Sequence, residues 1–569
     1  MSSPVRADPA LPYSRAAVAS LWLVLALVWF LPLNTPHLFN PDEGRYAEIP
    51  REMVTSGDWV TPRLDAIKYF EKPPLQYWAT AVAYEAAGQH AWTARLWAAL
   101  CGFLGLGVTF GLGRRLYGAR AALFAVIVQG GALLYIAMAR IDTLDMGVCF
   151  ALQLAMTALA LLVHRPQSTP PVATTAMPAG GVPARWHLPL LLGVGVALAM
   201  LSKGLIGILI PGAVALLFML CYRDPRLLLS SRPWWTLGAL AVLAAPWFVL
   251  VSLRNPQFAH FFFIFEHFQR YLSPAGFNRY HPMWYFIPVL AAGLVPWTTL
   301  LPRTLAGSVR AWAGGERATA LLVIWVAFIF VFFSVSQSKL APYVLPVVPA
   351  LAVLMGRALA RMTARQLAAH LLFVAIAAAA LAAAVLVAWR LPVMAVQVAK
   401  ASTATIVGLI VAFVLLALGA AVGTGCCRRG HMLAGAAAAA AGALLFAQSA
   451  LLAIEQLPRM RAPVTLAQQL RPWIDNYRHF YCVDGYVQTV PFELKRTCTP
   501  VAYRGELDFG LTLEPWRAIG GLPQFLAVWR EQASALAILE PRDYRRLTAL
   551  GAPMHVIYTA PSFVAVVRQ

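Results

Sequence analysis

The stretch SLWLVLALVWFLPL (20–33) is followed, after five residues, by FNPDEGRYAEIPREM (39–53). The first stretch has no ionisable residue and lies within an apolar segment near 16–33, close to the ~20 residues that cross the hydrocarbon of a membrane. The second stretch has four acidic residues and two arginines among its fifteen. Charge this dense directly after an apolar span indicates a functional surface at one face of a membrane.

The composition places the whole chain among membrane proteins. Of its 569 residues, 60% are hydrophobic and 12% are charged, and the mean hydropathy is +0.67, far from the composition of a soluble globular domain. The formal net charge is +21. Most arginines fall in loops between apolar segments, where they orient the chain and meet anionic membrane lipids. Because no basic stripe lies on a soluble fold, the charge does not indicate a nucleic-acid partner.

Thirteen apolar segments predict an α-helical polytopic membrane protein with about 13 transmembrane helices. They lie near 16–33, 91–113, 119–139, 143–163, 187–202, 205–222, 234–252, 283–301, 318–334, 342–360, 367–388, 403–422 and 432–453. With the N-terminus in the cytoplasm, cytoplasmic loops receive clusters such as Arg114, Arg115 and Arg120, whereas the short external connections receive isolated basic residues. This bias predicts a cytoplasmic N-terminus and an external C-terminus.

The sequence changes character after the last span. Stretches such as RHFYCVDGYV (478–487) and ALAILE (535–540) predict strands, and PRDYRRLTAL (541–550) predicts a helix. Cys482 and Cys498 lie there, where either a disulfide or two buried thiols fit the sequence. The predicted organisation is a transmembrane domain at 1–455, containing an external loop at 34–90 and a flap loop at 253–282, and an external α/β domain at 456–569.

This topology gathers ionisable residues at the external face. Charged side chains at membrane depth cost roughly 3 kcal/mol each, so they usually face a cavity and partners. Cations at this face would hold phosphate oxygens, and the carboxylates of Asp42 and Asp142 would handle the group being transferred. The candidate phosphate ligands are Lys72, Lys203, Arg270 and Lys339. Glu43, Arg45 and Lys339 are possible substrate contacts, and Tyr343 lies at the same face.

Several of these residues also have structural explanations. Asp42 and Glu43 would cap a helix that begins near Gly44, because acids stabilise helix N-termini. Lys203 would simply end a helix, Lys339 would anchor one by extending to the interface, and Tyr343 would belong to the aromatic belt. These alternatives remain open at the level of sequence.

A divalent cation is a separate hypothesis. Glu71 and His267 would bind one if the first external loop and the flap loop meet. A single Glu and one distant His form a weak pattern, and an interfacial hydrogen bond is the simpler role for His267. No other cofactor is predicted.

Two stretches resemble a known family. FNPDEGRYAEIPREMVTSGDWVTPRLDAIKYFEKPPLQYWATA (39–81) resembles the first external loop of bacterial GT-C membrane glycosyltransferases, and more narrowly that of the lipid A 4-amino-4-deoxy-L-arabinose (aminoarabinose) transferases. SQSKLAPYVLPVVPALA (336–352) is similar to the second signature of that group. The order of spans, first loop, flap loop and terminal domain agrees over essentially the whole chain.

The resemblance implies a reaction and roles for residues. Such enzymes transfer a sugar from undecaprenyl phosphate, at the periplasmic face of the bacterial inner membrane, to a phosphate of lipid A, and so confer resistance to polymyxin and cationic peptides. Asp42 would be the catalytic carboxylate and Asp142 a second site carboxylate. Lys72, Arg270 and Tyr343 would hold the carrier phosphate, a role that topology extends to Lys203. The expected partners are the carrier-linked sugar, lipid A and membrane lipids, with the chain as a monomer.

Two other functions compete with this one. A related GT-C transferase would move another polyprenyl-phosphate-linked sugar to protein or glycan, since no residue reads an amino group uniquely. A membrane transporter would carry internal repeats and charges near the midplane. The charges here lie at one face, which disfavours a transporter.

Overall fold

The computed structural model describes residues 15–164, 186–269, 280–391 and 402–568, without the side chains of 15–21 and 267–269. Its membrane part contains the helices α1 (Arg15–Phe30), α2 (Asp42–Ser56), α3 (Leu75–Ala87), α4 (Ala91–Tyr117), α5 (Ala119–Gly131), α6 (Leu133–Met138), α7 (Leu144–Val163), α8 (His187–Lys203), α9 (Ile206–Tyr222), α10 (Arg226–Ser231), α11 (Pro233–Ala239), α12 (Ala245–Arg254), α13 (Phe286–Gly293), α14 (Leu301–Ala313), α15 (Arg317–Val335), α16 (Val348–Ala360), α17 (Ala364–Arg390), α18 (Thr403–Arg428) and α19 (Met432–Glu455).

Long apolar helices dominate this part, as the sequence predicts. Within the described residues, eight helices are long and apolar enough to cross a membrane, or nine when one bent pair counts as a span. Four shorter apolar helices, Trp22–Asn34, Ala119–Gly131, His187–Lys203 and Ile206–Tyr222, coincide with other predicted spans. The protein is therefore a polytopic helical membrane protein, which confirms the predicted fold class. The total of thirteen spans stays a prediction.

Local sequence explains where individual helices begin and bend. Thr363 starts α17 with a capping box: its Oγ1 accepts from the Gln366 amide at 3.3 Å, and Gln366 Oε1 accepts from the Thr363 amide at 3.2 Å. The segment predicted as one span at 283–301 is instead broken, with 115° between Met283–Gly293 and Thr298–Ala313. Pro296 lies in the break, and a proline has no amide hydrogen with which to continue a helix.

A small sheet follows the last long helix. Its strands β3 (His479–Val483), β4 (Thr499–Val501), β5 (Ala535–Leu539), β6 (His555–Thr559) and β7 (Val564–Arg568) lie in the order β4-β3-β5-β7-β6. The pairs β3–β4 and β3–β5 are parallel, and β5–β7 and β6–β7 are antiparallel. The helices α20 (Pro458–Ile474), α21 (Thr489–Leu494), α22 (Asp508–Leu513), α23 (Leu522–Glu531) and α24 (Pro541–Ala549) accompany the sheet.

The first external loop and this sheet share one hydrophobic core. Ile49 of α2 and Tyr77 of α3 belong to the same buried cluster as Phe480 of β3 and Leu536 of β5. Two backbones also approach closely, because a Cβ added at Gly44 in α2 would lie 2.5 Å from the Thr489 amide nitrogen. The core therefore fixes the position of α2 against the C-terminal sheet. The predicted boundary between 455 and 456 stays a prediction.

A tight hairpin in the first loop strengthens this contact. Its strands, Arg63–Leu64 (β1) and Ile67–Lys68 (β2), are joined by Asp65 and Ala66, which both have a positive φ. Glu52 of α2 accepts hydrogen bonds from the amides of both turn residues, at 2.5 and 2.8 Å. Asp65 in turn accepts from the Cys498 amide at 2.7 Å. Cys498 is disulfide-bonded to Cys482, which settles the alternative that the sequence left open.

Candidate functional site

Asp42 begins α2 and points outward. Its side chain is 57% exposed, and its Oδ1 lies 3.6 Å from Arg45 Nη1, one helical turn later. Arg45 is itself paired with Glu506 of the C-terminal part, at 2.5 Å. An exposed carboxylate at the end of a firmly packed helix is accessible to a ligand while its backbone is held in place. Asp42 is thus accessible, as a catalytic carboxylate has to be, and its catalytic role stays a prediction.

Glu43 occupies a very different environment from its neighbour. Its side chain is 1% exposed and forms a two-pronged ion pair with Arg95 of α4, at 2.7 and 2.8 Å. Its oxygens also accept from the amides of Phe39 and Asp142, each at 2.8 Å. These contacts join the first loop to two other segments of the chain. The geometry gives Glu43 a structural part, in place of the substrate contact considered from sequence.

Asp142 lies next to this ion pair, in the connection that precedes α7. It is fully buried, and its Oδ1 accepts a hydrogen bond from the Gln76 side chain of α3. Burial, with a contribution from the nearby Glu43 carboxylate, raises the pKa of Asp142 well above its usual range. Its Oδ2, like Gln76 Oε1, is buried without a hydrogen-bond partner in the described part of the chain. Buried oxygens without partners are costly, so this pair can receive a donor from a ligand.

Three buried tyrosines, Tyr46, Tyr69 and Tyr77, lie near Arg45. Tyr46 and Tyr77 have ring centroids 6.2 Å apart, and the guanidinium of Arg45 lies 5.8 Å from the centre of the Tyr46 ring. The hydroxyls of Tyr69 and Tyr77 are buried and, among the residues described, have no hydrogen-bond partner. Burial raises the pKa of all three tyrosines, so their hydroxyls are neutral donors at ordinary pH. Neutral hydroxyls suit contacts to sugar or phosphate oxygens.

A second group of side chains lies at the end of α8. Lys203 Nζ is 2.5 Å from Asp145 Oδ1 of α7 and 4.8 Å from the centre of the Tyr343 ring. The aromatic face and the carboxylate together hold the ammonium in one place. The structure thus brings together Lys203 and Tyr343, both predicted to hold a phosphate.

The two other lysines that the sequence predicts at the site differ in environment. Lys72 Nζ lies 3.3 Å from Glu266 Oε2 and donates to the Glu71 carbonyl at 2.8 Å, which connects the first loop with the flap loop. Lys339 is buried and donates to the carbonyls of His281 and Ser336. Lys72 is therefore placed between the two loops, whereas the Lys339 ammonium is occupied by backbone oxygens.

Two of the predicted ligands belong to the flap loop. Arg270 and the side chain of His267 lie outside the described residues. Within the residues described, no group of three His, Cys, Asp or Glu side chains could hold a metal ion. The divalent cation predicted near Glu71 and His267 therefore stays a prediction.

Other residues at the site escaped the sequence analysis. Glu506 reaches Arg45 from a part of the chain more than 400 residues away, and no local pattern connects the two. Gln76 directly follows the KPPL stretch (72–75), and an amide near the start of a mostly apolar helix was the available signal. Together these residues form a polar group with one exposed carboxylate, neutral hydroxyls and fixed cations, suited to a sugar and a phosphate.

Comparisons with known proteins identify two family regions in the chain. The family described as dolichyl-phosphate-mannose-protein mannosyltransferase matches residues 16–262, and the aminoarabinose transferase C-terminal domain matches 466–568. An undecaprenyl phosphate-α-4-amino-4-deoxy-L-arabinose arabinosyl transferase of Sodalis glossinidius is 34% identical over 352 residues, which are 59% of each chain. One from Pseudomonas aeruginosa is 34% identical over 356 residues, 61% of this chain and 60% of its own. The matches thus span about three-fifths of the length of these curated relatives.

A solved structure extends the similarity to nearly the full chain. The crystal structure of ArnT from Cupriavidus metallidurans bound to undecaprenyl phosphate is 36% identical in sequence, with a TM-score of 0.87. The match covers 97% of this chain and 98% of that one. The chain belongs to the aminoarabinose transferase family. This confirms the resemblance drawn from the two signature stretches.

The family regions also account for how the site is assembled. Asp42, Asp142 and Lys203 lie in the mannosyltransferase-like region, and Glu506 lies in the aminoarabinose transferase C-terminal region. The ion pair between Arg45 and Glu506 joins the two regions. In this aminoarabinose transferase family member, the C-terminal region therefore contributes a side chain to the polar group around Asp42.

Proposed function

We propose that the protein is an integral-membrane glycosyltransferase that moves 4-amino-4-deoxy-L-arabinose from undecaprenyl phosphate to a phosphate of lipid A. The observation that carries this proposal is the near full-length similarity to a structure named as ArnT bound to undecaprenyl phosphate. The arrangement of Asp42, Lys203 and Tyr343 supports it, since a carrier-linked sugar requires both a phosphate site and a polar sugar site. The reaction would take place at the periplasmic face of the bacterial inner membrane.

Departure of the carrier phosphate is the step that the cations would assist. An oxygen of the acceptor phosphate forms a bond to the anomeric carbon, while the bond from that carbon to the carrier phosphate oxygen breaks. The leaving phosphate gains negative charge, and a cation fixed beside it stabilises that charge. Lys203 is held by Asp145 and Tyr343 before substrate arrives, so little reorganisation is needed.

Asp42 has a positioning and electrostatic role in this reaction. A phosphate acceptor is already ionised, so little proton abstraction is required. The exposed carboxylate would orient the amino-sugar or stabilise positive charge that develops on the ring. With a hydroxyl acceptor the same carboxylate would serve as a general base. The distance of 3.6 Å to Arg45 leaves its oxygens open to either partner.

A second candidate reaction uses another sugar. The match of residues 16–262 to a mannosyltransferase family supports a GT-C enzyme that acts on a polyprenyl-phosphate-linked hexose, with protein or glycan as acceptor. It differs from the main proposal in the mass of the transferred group and in the identity of the acceptor. One experiment can measure both the mass of the transferred group and the identity of the acceptor.

Mass spectrometry of lipid A tests the proposal. The chain is expressed in a host that lacks its own aminoarabinose transferase but makes the donor. We expect a gain of one aminopentose on lipid A with the wild type and its loss with Asp42→Asn at equal protein level in the membrane. The matched control is Asp475→Asn, which changes another exposed aspartate, at the end of α20. Unmodified lipid A with folded wild-type protein would refute the aminoarabinose reaction and direct the search to other acceptors.

A further inference from the structure

A cleft of about 460 Å³ lies between the far end of α2 and the C-terminal part of the chain. Five basic residues line the cleft: Arg51, Arg63, Lys495, Arg496 and Arg517. Glu52 is the one acidic residue in the lining. Three of these cations come from sequence beyond residue 490 and two from the first external loop. The cleft therefore exists only when the two parts of the chain are packed together.

The cleft is distinct from the site around Asp42. Arg51 lies nine residues after Asp42 in the same helix. At ~100° and ~1.5 Å per residue, this places the two on opposite sides of α2, about 13 Å apart along its axis. None of the residues predicted to hold the carrier phosphate lines the cleft.

Neighbouring acids neutralise only some of the basic residues. Glu48 pairs with Arg51, and Glu514 pairs with Arg63 at 2.9 Å and approaches Arg517 at 3.5 Å. Burial and the nearby Glu48 carboxylate raise the pKa of Glu52 to about 8, which reduces its negative charge near neutral pH.

Two cations in the cleft have no acidic partner among the described residues. Arg496 donates only to the backbone carbonyls of residues 474, 477 and 478. Lys495 is exposed, has a left-handed backbone (φ 54°), and makes no side-chain hydrogen bond or ion pair in the described part of the chain. The cleft is therefore positively charged.

We propose that this cleft binds a phosphate group carried by a glycolipid head group. Arginine and lysine are the side chains that bind phosphate best, because a guanidinium offers parallel donors and an ammonium offers a compact charge. A volume of about 460 Å³ exceeds what one phosphate ion fills and accommodates an attached sugar. Free phosphate offers the same anionic chemistry, so the experiment has a separate arm for it. The inference is independent of the proposed transfer reaction, since binding requires neither donor nor turnover.

Equilibrium dialysis of the purified full-length protein in a neutral detergent tests the inference. One arm uses radiolabelled inorganic phosphate, and the other uses a bisphosphorylated glucosamine disaccharide as a soluble glycolipid head group. The test variant is Lys495→Ala combined with Arg517→Ala. The matched control is Arg545→Ala combined with Arg546→Ala, which removes the same charge from exposed positions of α24. If the double variant unfolds, the single variant Lys495→Ala, which removes only an exposed side chain, replaces it as the test variant.

We expect the test variant to bind the disaccharide about tenfold more weakly than the control, from the loss of two charge-assisted contacts at a partly solvated site. Weakening confined to the disaccharide identifies a glycolipid head group as the ligand. Equally weakened binding of inorganic phosphate also supports an anion site, but identifies free phosphate as its ligand. Affinities for both probes that match those of the control would overturn the inference.

Discussion

The buried ion pair between Glu43 and Arg95 allows the roles of the adjacent acids Asp42 and Glu43 to be separated by experiment. Both side chains of the pair are 1% exposed, and Glu43 accepts four hydrogen bonds in total. Glu43→Gln keeps the volume of the side chain but leaves the guanidinium of Arg95 without a counter-charge. We therefore expect a loss of stability, in contrast to the loss of activity expected at Asp42.

The magnitude follows from the burial of the pair. Removing one partner of a buried salt bridge typically costs about 3–5 kcal/mol, because the remaining charge stays desolvated. Arg95 also donates to the carbonyls of Leu33, Pro36 and His37, so the segment before α2 is loosened as well. For a chain of this size we expect the melting temperature to fall by about 2–4 °C.

Fluorescence-detected size exclusion after graded heating measures this effect in detergent, and lipid A mass spectrometry measures transfer at a permissive temperature. Asp42→Asn is the matched control, since its 57% exposed side chain should leave the melting temperature within about 1 °C of wild type. The double variant Glu43→Leu with Arg95→Met removes both charges, and we expect it to be more stable than Glu43→Gln. A Glu43→Gln protein that melts like wild type but transfers no sugar would refute a structural role for Glu43.

Three further predictions concern separate parts of the chain. Lys203→Met should reduce the retention of undecaprenyl phosphate by roughly tenfold in a lipid-extraction assay, whereas Lys339→Met should leave retention unchanged. Because burial raises the pKa of Glu52 to about 8, above its unfolded value near 4.5, the native state binds more protons between these values. Thermal stability should therefore decline from pH 5 to pH 8, and Glu52→Gln should flatten that slope. Cys482→Ser should cost about 3 kcal/mol, since the disulfide closes a loop of 16 residues; unchanged denaturant midpoints would contradict this.

The membrane architecture could be predicted from the sequence because its cause is local. A run of about twenty apolar residues forms a helix in hydrocarbon whatever its neighbours do, since each backbone group is satisfied within the segment. Predicted spans such as 143–163 and 403–422 accordingly coincide with Leu144–Val163 and Thr403–Arg428. The segment near 283–301 differs because Pro296 interrupts an otherwise continuous apolar run.

The strands of the C-terminal part were predictable for a related reason. ALAIL in β5 is a continuous apolar run and is buried at every position, as expected for a strand covered on both faces. The short strand Thr499–Val501 was not predicted, because three residues carry too little periodicity to be recognised. Its position follows from pairing with β3, which is a long-range contact.

The partners of the site residues could not be predicted, because they depend on tertiary packing. Asp42 and Glu43 are neighbours of similar chemistry, yet one is exposed and the other is fully paired with a residue 52 positions away. The same holds for Arg45, whose partner Glu506 lies in the C-terminal part. Sequence identifies which residues are able to bind a phosphate or a sugar. Packing decides which of them are already occupied by protein.

This distinction has a consequence for how the site is built. Polar side chains of α2 connect with the C-terminal part near both ends of the helix, through Arg45 and Glu506 near Asp42 and through Glu52 and the hairpin turn that contacts Cys498. Because the disulfide fixes Cys498 to β3, the sheet supports α2 along its length rather than at one point. A change in the C-terminal part can therefore move Asp42 without touching it. The sheet acts as a support for the exposed carboxylate, which explains why the polar group around Asp42 is assembled from both ends of the chain.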